Sequence, residues 1–254
     1  INALDLSTPR HWRKIYVEDV TESLAQYHMG RHQVRLKVST LESRRPVFTK
    51  SIEALKLLHR SPDIVILSEL QTPEHSRAFF QALTSGLRGM QTCHGSSIEG
   101  VLRRWSLHHG VSVANLLELD LMVEMRRMFV DGREAKKLTR LAEVSIDQGV
   151  EVEGVKPVKL VEVFKWDPCS KSLLKVHDLY ETPTLRKVRE LEYLPRSRFE
   201  AELKEYVDVL EELSTVDVDD ERYSLTLNEL YLKYIVKGQE VVEYGRRAIC
   251  GLYG

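Results

Sequence analysis

The segment from Ser61 to Arg104 constrains the fold of this 254-residue chain more than any other stretch. Its residues Ile64 to Leu67 form a continuous β-branched and aliphatic run, which Pro62 and Asp63 precede. A strand without polar alternation is typical of the centre of a parallel sheet, where both faces are covered. An acid, Glu69, follows shortly after the run. Open α/β sheets bind ligands at the carboxyl ends of their strands, so Glu69 is either a site residue there or an exposed acid in an ordinary loop.

Strands and helices alternate over the first part of the chain, which predicts an α/β fold with a mostly parallel sheet. Pro73 and Glu74 have the composition of a first helical turn. Trp105 lies on the apolar stripe of a further helix, Ile98 to His108, and is predicted to be a core residue. The predicted strands are Lys14–Val17, Val34–Val38, Ile64–Leu67 and Met90–Cys93, and the helices between them are Ser51–His59 and Glu74–Ser85.

After residue 115 the pattern changes to hairpins, with turn signals at Asp131-Gly132 and Asp167-Pro168. These strands are predicted to extend the sheet in antiparallel fashion. From Thr182 onward the pattern is helical, with predicted helices at Thr184–Leu194, Ser197–Ser214 and Leu225–Tyr234. The sequence therefore predicts two regions: residues 1–180 as the core, and residues 181–254 as a helical C-terminal region.

Composition excludes several classes of protein. The chain is 43% hydrophobic and 30% charged, which is ordinary for a water-soluble globular protein. It contains no apolar run long enough for a membrane span and no signal-peptide pattern, so we expect a cytoplasmic protein. The net charge of -1 predicts no nucleic-acid partner. Arg44, Arg45 and Lys50 are predicted to belong to a solvated basic face. The three cysteines are far apart in sequence, which argues against a disulfide framework.

Three motifs occur in a fixed order and carry a family resemblance. The first, IYVEDVTE, contains Glu18, Asp19 and Glu22. The second contains Pro62, Asp63, Glu69 and Glu74, and the third contains Gly86, Gly89, Thr92, His94 and Arg103 or Arg104. In order and spacing they resemble the Asp box, Walker B motif and His box of the type II/type IV secretion ATPase superfamily. The likeness is greatest to its archaeal pilus, archaellum and secretion members.

The resemblance implies a RecA-like P-loop NTPase core that uses ATP and Mg²⁺. It implies catalytic roles for Glu69, Glu18, Glu22 and His94, with His94 as a sensor of the γ-phosphate or of a neighbouring subunit. It also implies nucleotide contacts from Asp19, Glu74, Arg35 and Thr92, and Mg²⁺ binding by Glu69 and Asp19. Arg35 is either an arginine finger acting on a neighbouring subunit's nucleotide or a surface arginine on an edge strand.

Several residues depart from the family pattern. Ser68 replaces the glycine before the Walker B glutamate, Gln71 replaces an arginine, and Leu87 replaces the first histidine of the His box. His59 and Ser61 also stand where arginines are usual. Losing arginine removes bidentate contacts to phosphate or carboxylate that other side chains do not reproduce. The chain is therefore a divergent member of the group it resembles.

The sequence contains no G-x-x-x-x-G-K-[ST] loop, the backbone cradle for phosphates at a helix N-terminus. The chain opens with Ile-Asn-Ala-Leu rather than Met, and a similar segment follows the P-loop in the family. We therefore expect a P-loop directly upstream of Ile1 in the parent protein, so that the core is truncated at its N-terminus. The alternative is a natural paralogue that lost the loop.

As a whole, the resemblance implies ATP hydrolysis by a homo-hexameric motor that powers type IV pilus or archaellum assembly or type II-like secretion. Its expected partner is a polytopic membrane platform protein, which would place it peripherally at the inner face of the cell membrane. A non-catalytic assembly subunit with degenerate motifs is the alternative function. A DNA-transfer motor is a third, which the charge does not support.

Overall fold

The computed structural model describes residues 1–39, 49–130, 132–146, 158–191, 194–215 and 219–233. Their contacts divide the chain into two compact units. The first unit consists of Ile1–Arg13, Ser23–Gln33 and the described part of Arg196–Gly254, and the second consists of Lys14–Glu22 and Val34–Pro195. The division predicted from sequence at residue 180 stays a prediction.

A four-stranded sheet is the centre of the second unit. Its strands are β1 (Lys14–Glu18), β2 (Gln33–Lys37), β3 (Ile64–Leu67) and β4 (Gly89–Gln91), in the order β2-β1-β3-β4. β3 pairs in parallel with β1 on one side and with β4 on the other. Every residue of β1 and β3 is buried, as the uninterrupted apolar composition of β3 predicts for that strand. The predicted parallel sheet is confirmed, and the carboxyl ends of β1, β3 and β4 share one edge.

The helices beside this sheet begin at side-chain caps. Thr49 caps α2 (Lys50–Lys56), Thr72 caps α3 (Pro73–Thr84) and Ser97 caps α4 (Ile98–Arg103), each by accepting a backbone N–H of the first turn. A 3₁₀ turn, Leu57–Arg60, continues α2, and a π turn, Arg104–His108, continues α4. A short helix, α5 (Val113–Leu116), follows. The predicted core residue Trp105 is buried edge-on against Phe80, which confirms the prediction.

The predicted hairpins are also confirmed, and they form a separate sheet rather than adding strands to the parallel one. This second sheet is antiparallel, with strands β5 (Leu121–Val130), β6 (Arg133–Ile146), β7 (Val158–Asp167) and β8 (Ser172–Lys175) in sequence order. Gly132 has φ of +75°, as the tight turn between β5 and β6 requires, while Asp131 lies outside the described residues. Ala142 and Val144 of β6 belong to the core that contains the parallel strands. The second sheet thus shares one core with the first.

The described residues after Thr182 are mainly helical, as predicted. Its helices are α6 (Pro183–Leu191), α7 (Arg196–Thr215) and α8, residues 220–233. In the first unit, α8 supports the start of the chain: Asn228 accepts the backbone N–H of Arg10, and Ser224 accepts a bond from the buried Arg31. Arg31 also donates to the carbonyl of Leu6 at the end of α1 (Asn2–Leu6). Among the described helices, none is both long and apolar enough to cross a membrane.

Candidate functional site

The carboxyl ends of β1, β3 and β4 bring the three sequence motifs together at one edge of the parallel sheet. Asp19 follows β1, Glu69 follows β3, and Thr92 and His94 follow β4. The register places Val17 beside Leu67, and Leu67 beside Gln91, so the residues that follow leave the sheet side by side. A backbone bond from Leu70 to the carbonyl of Thr92 joins two of these loops. We refer to Asp19, Ser68, Glu69 and Lys50 together as the strand-end cluster.

Lys50 links the loops that follow β1 and β3. Its ammonium lies 3.2 Å from Oδ1 of Asp19 and donates to the backbone carbonyl of Glu69 at 2.9 Å. Ser68 donates to the same Asp19 oxygen at 3.0 Å. Only 1% of the Lys50 side chain is exposed, so this lysine is internal. The prediction of a solvated basic face is therefore wrong at Lys50, while Arg44 and Arg45 lie outside the described residues.

The charges in this cluster shift the protonation of their neighbours. Burial raises the pKa of the Asp19 carboxyl, but the Lys50 charge and the hydrogen bonds from Lys50 and Ser68 outweigh burial and hold it below its ordinary value. The pKa of His75, in the first turn of α3, is also below its ordinary value. Burial lowers its pKa, and the positive charge of Lys50 lowers it further. Asp19 is therefore held as a carboxylate next to a cation.

Glu69 has different surroundings from Asp19. Its Oε1 lies 3.3 Å from Nε2 of His94, and its Oε2 accepts a bond from Gln71 at 2.9 Å. The side chain of Glu69 is 28% exposed and that of His94 is 92% exposed. Glu69 and His94, two of the predicted site residues, therefore meet at the surface, in reach of solvent and of any ligand that approaches this edge.

The loop that carries His94 is held from two directions. Arg104, in the π turn after α4, donates to the carbonyl of His94 at 2.7 Å, and Arg126 of β5 donates to the carbonyl of Ser96 at 3.0 Å. Arg140 of β6 makes a bidentate pair with Glu99 in the first turn of α4, at 2.8 and 3.1 Å. These hydrogen bonds lower the pKa of Glu99 to about 2. The antiparallel sheet thus fixes the segment that presents His94.

The remaining predicted residues lie at differing distances from this pair. Glu18 ends β1 and is buried, and its carboxylate accepts the backbone N–H of the exposed Glu22 at 3.2 Å. Glu74 is exposed in the first turn of α3, where hydrogen bonds with its own backbone and Thr72 lower its pKa. Arg35 is exposed on β2, at the outer edge of the sheet. The functional roles of all these residues stay predictions.

The strand-end cluster does not suit Mg²⁺ binding by Asp19. Mg²⁺ requires six ligands in near-octahedral positions, and it keeps several waters when it binds carboxylates. Oδ1 of Asp19 instead meets an ammonium and a hydroxyl donor, and a second cation next to Lys50 would be repelled. In the part of the chain that the structure describes, no three His, Cys, Asp or Glu side chains form a group that could hold a metal ion. The predicted metal role of Glu69 stays a prediction.

Sequence reasoning missed Lys50, Ser68 and His75 as members of this region. Helical periodicity carried a signal for Lys50, because Ala54 and Leu57 follow it at spacings of one and two helical turns and both are buried. Lys50 therefore belongs to the inward face of its helix. Ser68 is a departure from the family pattern, and a hydroxyl at a strand end next to an acid is also a candidate hydrogen-bond donor.

Comparison with known sequences gives one weak relative and no family. No protein-family profile matches the chain. An uncharacterized protein of Methanocaldococcus jannaschii is 26% identical over 112 residues, which are 44% of this chain and 40% of that protein. The chain therefore spans less than half the length of this curated relative.

Comparison with solved structures gives partial matches to two kinds of ATPase. The VirB11 ATPase of the Brucella suis type IV secretion system matches with a TM-score of 0.45 and 20% identity, over 56% of this chain and 44% of its own. The ATPase DotB of Legionella pneumophila gives 0.44 and 17%, over 57% and 40%. DotB of Yersinia pseudotuberculosis gives 0.40 and 16%, over 88% and 50%. TM-scores below 0.5 are too low to establish a shared fold.

Proposed function

We propose that this chain is part of the ATP-hydrolysing core of a ring-forming motor of the type II/type IV secretion class, with a RecA-like arrangement of its sheet. The observation that carries the proposal is the Glu69–His94 contact at the edge where β1 also delivers its acids. The motifs that supply these residues are separate in sequence, and the parallel pairing of β1, β3 and β4 brings their ends to one edge. A carboxylate next to a histidine at the carboxyl edge of a parallel sheet suits the activation of water beside a bound phosphate.

In this proposal Glu69 orients the water that attacks the γ-phosphoryl group in line. Its two carboxylate oxygens are held by His94 and Gln71, which fixes the orientation of the carboxylate plane. His94 extends from its loop with almost its whole side chain exposed, so it can contact a phosphate or a neighbouring subunit and report nucleotide state. Glu18, Glu22, Asp19, Thr92, Glu74 and Arg35 are proposed supporting residues, as the motif resemblance implies.

The proposal needs a phosphate cradle that this sequence does not contain, so we propose that the full-length protein supplies it. The intact mass and N-terminal sequence of the protein from its native source test this step. A Gly-rich loop with Lys-Ser or Lys-Thr directly upstream of Ile1 is the expected result. A native chain that starts at Ile1 would favour the non-catalytic function.

The proposed assembly is a homo-hexamer that works peripherally, at the inner face of the cell membrane, on a polytopic platform protein. The cargo is a pilus, an archaellum or a secreted protein. The net charge of -1 supports the absence of a nucleic-acid partner. A strongly salt-dependent affinity for DNA would instead support a DNA-transfer motor.

Replacement of Glu69 by Gln in the full-length protein tests the catalytic proposal. The amide keeps the size of the side chain and removes the negative charge, so hydrolysis should fall to background while nucleotide binding is kept. Glu134→Gln is the matched control, because Glu134 is an exposed acid of the β5–β6 hairpin. Unchanged turnover in Glu69→Gln would exclude Glu69 as the catalytic acid.

A specific observation also favours the alternative function, a non-catalytic assembly subunit. Lys50 neutralises Asp19 inside the edge that a nucleotide would approach. A protein that retains this edge only for ring formation would bind nucleotide weakly or not at all, and Glu69→Gln would leave its oligomeric state unchanged. Nucleotide binding by the full-length protein, measured before any hydrolysis assay, separates the two functions.

A further inference from the structure

Lys50 occupies a position that is unfavourable for a cation on two counts. It lies in the first turn of α2, where the helix macrodipole is positive, and its side chain is 1% exposed. A buried charge is tolerated only when it is paired and hydrogen-bonded. The partners that make it tolerable are the Asp19 carboxylate and the Glu69 carbonyl, one from each of two adjacent strand ends.

The oxygens around Lys50 are of the kinds that a hard divalent cation would select. They comprise a carboxylate oxygen of Asp19 and a backbone carbonyl oxygen of Glu69, while the hydroxyl of Ser68 bonds the same carboxylate oxygen. They converge between parallel strands, at the edge where α/β folds commonly hold ligands. The Lys50 ammonium already contacts the Asp19 and Glu69 oxygens. It donates hydrogen bonds to them, and a metal ion in its place would accept their electron pairs.

His75, in the first turn of α3, has surroundings that are consistent with a cation at Lys50 and not with a second one on its own ring. Nδ1 of His75 is buried without a hydrogen-bond partner in the described structure, and the ring lies within the electrostatic influence of both Lys50 and Asp19. A second positive charge on this partly buried ring would be repelled by the Lys50 ammonium. The surroundings therefore accommodate one cation, and Lys50 supplies it.

We propose that the Lys50 ammonium is a built-in counter-ion that takes the place of a divalent cation at this edge, so that Asp19 does not bind Mg²⁺ in this protein. The proposal goes beyond the proposed function, because it assigns no role in hydrolysis and would hold equally in a non-catalytic subunit. It replaces the implied role of Asp19 as a metal ligand. It leaves Glu69, whose carboxylate faces His94 and Gln71, outside the counter-ion pair.

Binding of Mn²⁺ alone to the 254-residue chain, without nucleotide, tests the proposal through the electron paramagnetic resonance signal of the free ion. The variants are Lys50→Ala, Asp19→Asn and the double variant of both. Lys56→Ala is the matched control, because Lys56 lies in the same helix and also pairs with a carboxylate, Glu53. We expect Lys50→Ala to deplete the free Mn²⁺ signal and the double variant to restore it. Wild type, Asp19→Asn and Lys56→Ala should agree with one another.

Two results would overturn the proposal. The first is Mn²⁺ binding by the wild-type chain that Asp19→Asn removes, because Asp19 would then be a metal ligand with Lys50 in place. The second is Lys50→Ala binding no more Mn²⁺ than wild type, because the oxygens would then not form a cation site. Both results are independent of hydrolysis, so they are distinguishable from a failure of the Glu69→Gln experiment.

A second measurement keeps the test decisive if Lys50→Ala does not fold. Lys50→Met retains an unbranched chain of similar length without the charge, and its urea unfolding is compared with and without Asp19→Asn. A counter-ion pair predicts a change of sign: Asp19→Asn lowers the stability of wild type and raises that of Lys50→Met, because it removes an uncompensated carboxylate. The same sign in both backgrounds would contradict the counter-ion role.

Discussion

Two cations of this molecule lie among carboxylates, and their surroundings differ. Lys50 is 1% exposed at the end of the parallel sheet, and its charge meets one carboxylate oxygen and one carbonyl. Arg140 is 17% exposed on the antiparallel sheet, where it contacts Glu99, Glu162 and, at 3.9 Å, Glu124. Around Lys50, one carboxylate balances one ammonium. Around Arg140, three carboxylates surround one guanidinium, and Arg126 is a further partner of Glu124.

The difference follows from the chemistry of the two cations and indicates two different tasks. An ammonium is compact and fits a small cage of oxygens, whereas a guanidinium offers a planar fork that binds a carboxylate in bidentate fashion and has further donors. Lys50 therefore locks two adjacent strand ends together from inside. Arg140 ties the first turn of α4 to another sheet, and with it the loop that presents His94. The loops after β1 and β3 are therefore held by a buried lysine. The loop that presents His94 is held by hydrogen bonds and ion pairs that are nearer the surface.

Loss of the Lys50 charge is expected to have the largest effect. Lys50→Met leaves the Asp19 carboxylate with a hydrogen bond from the Ser68 hydroxyl but without a cation. Breaking a buried ion pair in this way costs about 3–5 kcal/mol of unfolding free energy. Lys56→Met is the control, because its ammonium is half exposed and its partner Glu53 keeps Arg60, so about 0–1 kcal/mol is expected. Urea unfolding of both variants measures the difference. Equal losses of unfolding free energy in the two variants would contradict the distinction between Lys50 as a buried cation and Lys56 as a surface cation.

Loss of Arg140 should cost less than loss of Lys50. Arg140→Met removes charged hydrogen bonds to Glu99 and Glu162, which are partly solvated, so about 2–3 kcal/mol is expected. Arg127→Met in the neighbouring strand is the control, since its pair with Glu134 is exposed and 3.8 Å apart, and its loss should be within about 0.5 kcal/mol. Urea unfolding of both variants measures the two losses. If Arg140→Met and Lys50→Met lost equal amounts of unfolding free energy, the ion pairs of Arg140 would be as well shielded from solvent as the pair of Lys50.

The loop between the two clusters depends on a close approach at Gly95. A Cβ at this position would lie well inside van der Waals contact of a methyl group of Val101, which is buried in α4. Gly95→Ala should therefore cost about 1–3 kcal/mol through displacement of the loop or of α4. Adding Val101→Ala makes room for the new methyl group. The double variant should therefore lose less stability than the two single variants lose in total. Strict additivity in thermal unfolding would show that the two residues do not meet.

The parallel sheet could be predicted from sequence because its central strand, Ile64 to Leu67, is short, apolar and fully buried, and helices alternate with the strands around it. The convergence of Asp19, Glu69 and His94 was also within reach, because it follows from strand order and motif order. The antiparallel strands were predicted as hairpins, but their separation into a second sheet was not, because turn signals give pairing between neighbours and not attachment to other strands.

The internal counter-ion was not predictable in the same way. A lysine at a helix start is ordinarily solvated, and the carboxylate that holds Lys50 is 31 residues earlier in the chain. Arg140 likewise pairs with Glu99 across 41 residues. Ion pairs of this kind are decided by packing between elements, which hydrophobic periodicity does not specify. The apolar face of α2 placed Lys50 inward, but only the fold shows which oxygen it meets.

The smallest expected effect is the pH dependence of the surface network. Arg140 lowers the pKa of Glu99 to about 2 from an ordinary value of 4.5, so the unfolded state binds this proton at a higher pH than the folded state does. The stabilisation is therefore complete above pH 4.5 and is lost progressively as the pH falls from 4.5 towards 2. Glu99 is about half exposed, and solvent screening leaves about 1 kcal/mol or less of this effect. The difference in unfolding free energy between wild type and Glu99→Gln should shrink over that range, and Glu134→Gln should show no such change. A difference that is constant with pH would mean that Arg140 does not favour the charged form of Glu99, and the comparison between the two clusters would lose its electrostatic basis.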